Sequence, residues 1–120
     1  YIHMGSCYLE LRKGRDAIAP LKRALELEPD SLEAKVALGM AYAYCRAWKQ
    51  GIRMLNQVVI EVPNSPEVHY WLGVLHLGND DVSSAEFERN ALRSIKGKKA
   101  RNLANDLGRK ISQYKRRRRY

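Results

Sequence analysis

Apolar residues recur every three or four positions along this chain, in blocks broken by Pro, Gly and Asp clusters. That spacing lays an apolar stripe along one side of a helix. The blocks predict helices near 1–12, 16–27, 31–44, 48–60, 66–77 and 82–95. A seventh, over 98–114, follows from Ala100, Leu103, Ala104, Leu107, Ile111 and Tyr114. The breaks have mechanisms. Pro29 and Pro63 follow helices and stop them continuing. Asp30 with Glu33 reads as a capping pair, and Ser65 before Pro66 and Glu67 as a second helix start. If Asp16 is a cap, Pro20 falls in the first turn, where backbone N–H groups have no helical partner.

The blocks are copies of one another. Gly5, Gly39 and Gly73 are spaced by 34 residues, each preceded by Met4, Leu38 or Leu72. Tyr8, Tyr42 and His76 follow three positions later, and Pro29 and Pro63 share the period. Ala17 matches Gly51, Leu21 matches Leu55, and Ala24 matches Val58. Glycine and alanine at these sites let helices approach closely. Tyr8 and Tyr42 are large enough to fill the space between neighbouring hairpins. The third copy departs: Ser84, Phe87 and Ala91 suggest a frame shifted by one residue. A shortened Gly78-Asn79-Asp80-Asp81 turn and a rotated sixth helix are therefore expected.

Over residues 1 to about 95 this pattern resembles the tetratricopeptide repeat family. The resemblance implies an all-α solenoid of about three helical hairpins, each of two antiparallel helices, stacked into a right-handed superhelix. Units are expected at about 1–30, 31–64 and 65–95. The amphipathic basic helix 96–114 caps the stack, and 115–120 forms a basic tail. Tyr1 falls inside the first helix of this register, so the first unit is truncated and further repeats are expected upstream.

Composition narrows the options. At 45% hydrophobic and 29% charged residues, the chain is ordinary for a globular domain. No apolar run approaches the ~20 residues needed to span a bilayer. No secretory leader is legible, and a cytoplasmic setting is the default expectation. The net charge of +9 is local: residues 1–95 sum to −1 and residues 96–120 to +10. Any electrostatic partner therefore concerns the C-terminal segment.

Catalytic signatures are missing. Cys7 and Cys45 have no metal-binding spacing and read as small core residues. His69 and His76 are seven apart, about 10 Å along a helix, too far to share a metal. His3 reads as a packing or rim residue. No HExxH, GxSxG or phosphate-binding glycine loop occurs. No enzyme activity, metal or cofactor is expected.

The family resemblance implies binding through the concave face lined by the first helix of each hairpin. That face maps to Ile2, Ser6, Leu9 and Glu10, then Glu33, Val36, Met40, Ala43 and Tyr44, then Glu67, Tyr70, Val74 and Leu77. Val36, Met40, Tyr44, Tyr70 and Val74 are apolar where hairpin closure does not need them, as in a binding groove. Carboxylate-clamp binding of chaperone C-termini is not expected, because Ile2, Ser6, Ala37, Glu67 and Trp71 replace the required Lys, Asn and Arg. The expected function is a scaffold holding a helical or extended segment of a partner protein. One alternative is an electrostatic tether, in which Lys115, Arg116, Arg117, Arg118 and Arg119 bind anionic membrane or nucleic acid. The same basic run also reads as a nuclear-import signal. Self-assembly through the groove is the other alternative.

Overall fold

The structure, a computed structural model, describes residues 14–118. Among them every regular element is a helix: α1 (Gly14–Leu27), α2 (Leu32–Tyr44), α3 (Trp48–Glu61), α4 (Pro66–Gly78), α5 (Val82–Ser94) and α6 (Lys98–Arg118). The expected helix 1–12, with His3, Gly5, Cys7 and Tyr8, lies outside the described residues. Each helix packs on the next, and α2, α4 and α6 also approach in succession, whereas the backbones of α1, α3 and α5 do not come close to one another. The stack therefore has an inner row and an outer row, as in a helical-repeat solenoid.

The repeat governs the turns as well as the helices. After α2, the Arg46 N–H donates to Ala43 O at 3.1 Å and the Ala47 N–H to Tyr42 O at 2.8 Å. After α4, the Asp80 N–H donates to Leu77 O at 3.1 Å and the Asp81 N–H to His76 O at 2.8 Å. This bond pair satisfies the last helical carbonyls and needs a left-handed residue at the pivot. Arg46 and Asp80 supply it, with φ of 60° and 62°.

The two turns have equal length, so α3 and α5 begin in the same frame, at Trp48 and Val82. The expected shortening of the Gly78–Asp81 turn and rotation of the sixth helix do not occur. Ala85 and Leu92 are buried in α5 where Gly51 and Val58 are buried in α3. Phe87, which the shifted frame places in the core, is 69% exposed. The misleading residue is Arg89, which stands where α1 and α3 carry the fully buried Leu21 and Leu55.

That replacement changes the packing around the repeated glycines. A Cβ on Gly39 would stand 2.6 Å from Leu55 Cδ2, so α2 and α3 are in contact through this glycine. Gly51 is equally tight against Leu75 Cδ2, at 2.6 Å. At Gly73, in contrast, the space is filled by Leu107 of α6. Gly39 and Gly73 both sit at close helix contacts but not equivalent ones: one faces its own hairpin partner, the other the capping helix. With Arg89 in the Leu position, α5 offers no apolar side chain there, and α6 supplies it.

The caps also differ in detail. Ser31, not Asp30, is the N-cap of α2, accepting from the Ala34 N–H at 3.2 Å. Ser65 and Pro66 open α4 as the sequence predicts. Asp81 caps α5, accepting from the Ser84 N–H at 3.1 Å. Because α1 already begins at Gly14, Pro20 lies inside the helix rather than in its first turn. Cys45 is the half-buried C-cap of α2 and not a core residue.

Candidate functional site

α6 buries Ala100, Ala104, Leu107 and Ile111, a stripe at spacings of three and four. The stripe packs with α5 residues Ala85 and Leu92 and with Tyr70, Val74 and Leu77 of α4. The helix therefore lies over the part of the inner face that repeat three would contribute to a groove.

This divides the expected groove residues. Ile2, Ser6, Leu9 and Glu10 lie outside the described residues. Tyr70, Val74 and Leu77 help to seat α6: Leu77 is only 9% exposed, and Tyr70 and Val74 are half-buried. Tyr70 donates a hydrogen bond to Asp106 of α6. Burial raises the Tyr70 phenol pKa, and the Asp106 contact adds to the shift. Glu67 is ion-paired with Lys99, whose hydrogen bond holds its carboxyl below the usual range. The reason for the closure is α6's own apolar stripe, which must be covered, and α4 offers the matching surface.

On α2 the face stays open. Glu33, Val36, Met40 and Tyr44 follow one another at spacings of three and four, so they share one side of the helix. Ala43 is buried. Glu33 is exposed and makes no ion pair among the described residues. Val36 and Met40 are half-buried at the edges of two core clusters. Tyr44 is 39% exposed, and its ring meets Trp71 of α4 edge-on at 5.8 Å. Trp71 in turn meets Tyr70 edge-on at 5.4 Å. The open inner face is thus an α2 strip ending in an aromatic junction with α4. Trp71 was missing from the expected groove set. It appeared there only as a mismatch to the clamp, although that mapping already put it on the inner side, in register with Ala37.

The basic run is a continuation of α6 and not a separate tail. The helix extends to Arg118, four residues beyond the periodicity, while Arg119 lies outside the described residues. Two cations of the run are engaged: Lys115 with Glu86 at 2.9 Å and Arg118 with Asp80 at 2.6 Å. The Tyr114 hydroxyl also donates to Asp80, at 2.5 Å. These contacts and the favourable placing of cations at a helix C-terminus carry the helix onward. Arg116 and Arg117 are exposed.

The two described histidines, His69 and His76, make contacts within the fold. His69 is buried with Nδ1 3.0 Å from Glu88 Oε2 and Nε2 2.5 Å from the Pro63 carbonyl. Both ring nitrogens face acceptors, which favours the doubly protonated ring. The Glu88 hydrogen bond raises its pKa, against the opposing effect of burial. His76 is 3.9 Å from Asp81. Among the described residues no cluster of three His, Cys, Asp or Glu side chains could hold a metal ion.

The tetratricopeptide repeat family model matches residues 8–69. The chain belongs to the tetratricopeptide repeat family. Such repeats generally mediate protein–protein interactions and are typically not enzymes. A curated relative, a DnaJ homolog subfamily C member 3 homolog from Dictyostelium discoideum, is 29% identical over 69 residues. The match covers 58% of this chain but 14% of that protein, so the chain spans a small part of the relative's length. In tetratricopeptide terms, α2–α3 and α4–α5 are complete hairpins, α1 is the second helix of the preceding one, and α6 is the cap.

Proposed function

We propose that this tetratricopeptide array is a protein–protein interaction scaffold. Its inner face receives a helical or extended partner segment along Glu33, Val36, Met40, Tyr44 and Trp71. The observation that carries the reading is the aromatic junction. Tyr44 is part-exposed beside a tryptophan, while α2 already closes on α3 through Gly39 and α3 meets α4 through Gly51. Large rings combine contact area with low conformational entropy and often dominate interface energies. Met40 adds an adaptable apolar surface. Glu33 favours a ligand with Lys or Arg beside its apolar anchor.

The test is capture of binding proteins by the wild-type chain and by a Met40→Asp/Tyr44→Asp variant. The captured set should be lost in the variant while the helical circular dichroism stays unchanged. Retention of the same set by a folded variant would overturn the reading. Arg117→Glu should leave this capture unaffected.

A further inference from the structure

A second surface lies on the other side of the cap, between α5 and α6. Two adjoining hollows there, of about 480 and 470 Å³, share Arg93, Ala104 and Asn105. Their lining carries Arg89, Arg93, Lys96, Arg101, Arg109 and Arg116 and no carboxylate. The acids of the two helices are committed elsewhere. Glu86 binds Lys115, Glu88 binds His69, and Asp106 binds Tyr70, Arg109 and Lys110. Among the described residues Arg89, Arg93, Lys96, Arg101 and Arg116 form no ion pair, and only Arg89 feels a nearby carboxylate, Glu86, so the cleft carries net positive charge.

Arg89 is the least expected of these cations. It takes the position that two other outer helices fill with a buried leucine, and its Nε is buried without a hydrogen-bond partner. A guanidinium in that slot sacrifices apolar packing and leaves a polar atom unsatisfied, both unfavourable to folding. An anion arriving in the cleft would supply the missing counter-charge.

We propose that the α5–α6 cleft docks an acidic amphipathic helix of a partner protein. The floor argues for protein. Leu92 and Ala104 lie buried beneath it, and Gly108 of α6 presents no side chain, so a helix backbone can come close there. No aromatic residue lines either hollow for bases to stack on, which disfavours single-stranded nucleic acid. The cations from Arg101 to Arg116 extend along about 22 Å of α6, roughly four turns of a docked helix. The cleft shares no residue with the α2 strip of the scaffold reading, so the two surfaces stand or fall separately.

The test uses fluorescence anisotropy with the purified chain and a labelled synthetic helix bearing a Leu/Ala stripe flanked by Glu. The same peptide with Lys for Glu, a single-stranded and a duplex oligonucleotide, and phosphatidylserine vesicles are the comparison ligands. The Glu peptide should bind and the Lys peptide should not. Arg93→Glu should weaken binding about tenfold or more. Arg117→Glu, the same charge change outside the cleft, should have far less effect. Arg89→Leu should weaken binding without unfolding the chain, because it removes the guanidinium with its unsatisfied buried Nε while Leu107 keeps its place beside Gly73. Equal losses from Arg93→Glu and Arg117→Glu would reduce the effect to net charge and overturn the site. Tighter binding of an oligonucleotide or vesicle than of the Glu peptide would overturn the protein ligand. Loss of peptide binding in Met40→Asp/Tyr44→Asp, with Arg93→Glu unaffected, would assign the peptide to the α2 strip instead.

Discussion

Leu107→Ala isolates the contact that replaces the missing leucine of α5. Leu107 is fully buried and fills the space beside Gly73. Losing its methyl groups should cost about 2 kcal/mol in transfer, plus ~24 cal/mol for each Å³ of void that remains. Collapse is limited, since Gly73 has no side chain to move into the gap and Arg89 is not apolar. The sum is roughly 3–4 kcal/mol, in the upper part of the range for buried Leu→Ala changes. Urea unfolding followed by far-UV circular dichroism reads it directly. The sharper assay is a double-mutant cycle. Gly73→Ala alone drives a Cβ into Leu107 and should destabilise by ~1–3 kcal/mol. In the Leu107→Ala background the same methyl enters vacated space and should be neutral or stabilising, helped by the better helix propensity of Ala. The coupling should therefore exceed ~1 kcal/mol, as for residues in contact. Additivity within about 0.5 kcal/mol would refute the claim that Leu107 fills the Gly73 site.

Gly39→Leu should destabilise by about 1–3 kcal/mol in a thermal melt, because Leu55 already occupies the space its side chain needs. Tyr42→Ala should cost roughly 3–5 kcal/mol in urea unfolding, as for a buried Phe→Ala change, since Tyr42 lies in the core cluster with Ala17, Leu21 and Leu38. The raised pKa of His69 makes stability pH-dependent. Its contribution is fully present below the ordinary value of 6.5 and is lost as pH rises through the higher folded value. Urea midpoints measured from mildly acidic to mildly alkaline pH should therefore fall, and the fall should shrink in Glu88→Gln, which removes the carboxylate.

The hairpins were legible because the period is written in residues whose size is their function. Gly39, Gly73 and Gly51 repeat where helices touch, and Leu21 and Leu55 where they interlock. The left-handed turn pivots were not legible, because Arg46 and Asp80 replace the Gly or Asn that would announce them. The third hairpin was misread through Phe87. An apolar residue beside a missing core leucine looks like a shifted frame, and periodicity alone does not distinguish an exposed ring from a buried one. The apolar stripe of α6 was visible at once, but its seat was not. Tyr70, Val74 and Leu77 read equally well as open groove or as covered surface until a neighbouring helix is placed. Trp71 is marked by its contact with Tyr44 of the neighbouring inner helix, and periodicity along one helix carries no signal of such a contact.

The separation of α1, α3 and α5 has a mechanical consequence. Only the inner helices touch from one hairpin to the next along their own row, so that row acts as the neutral axis of a bending beam. Tightening the curl fans the outer helices apart at little cost, since among the described residues their backbones do not approach one another closely. The array is thus compliant in one direction, through small rotations between hairpins. The α2–α3 hairpin meanwhile stays rigid, locked by Leu55 wedged against Gly39.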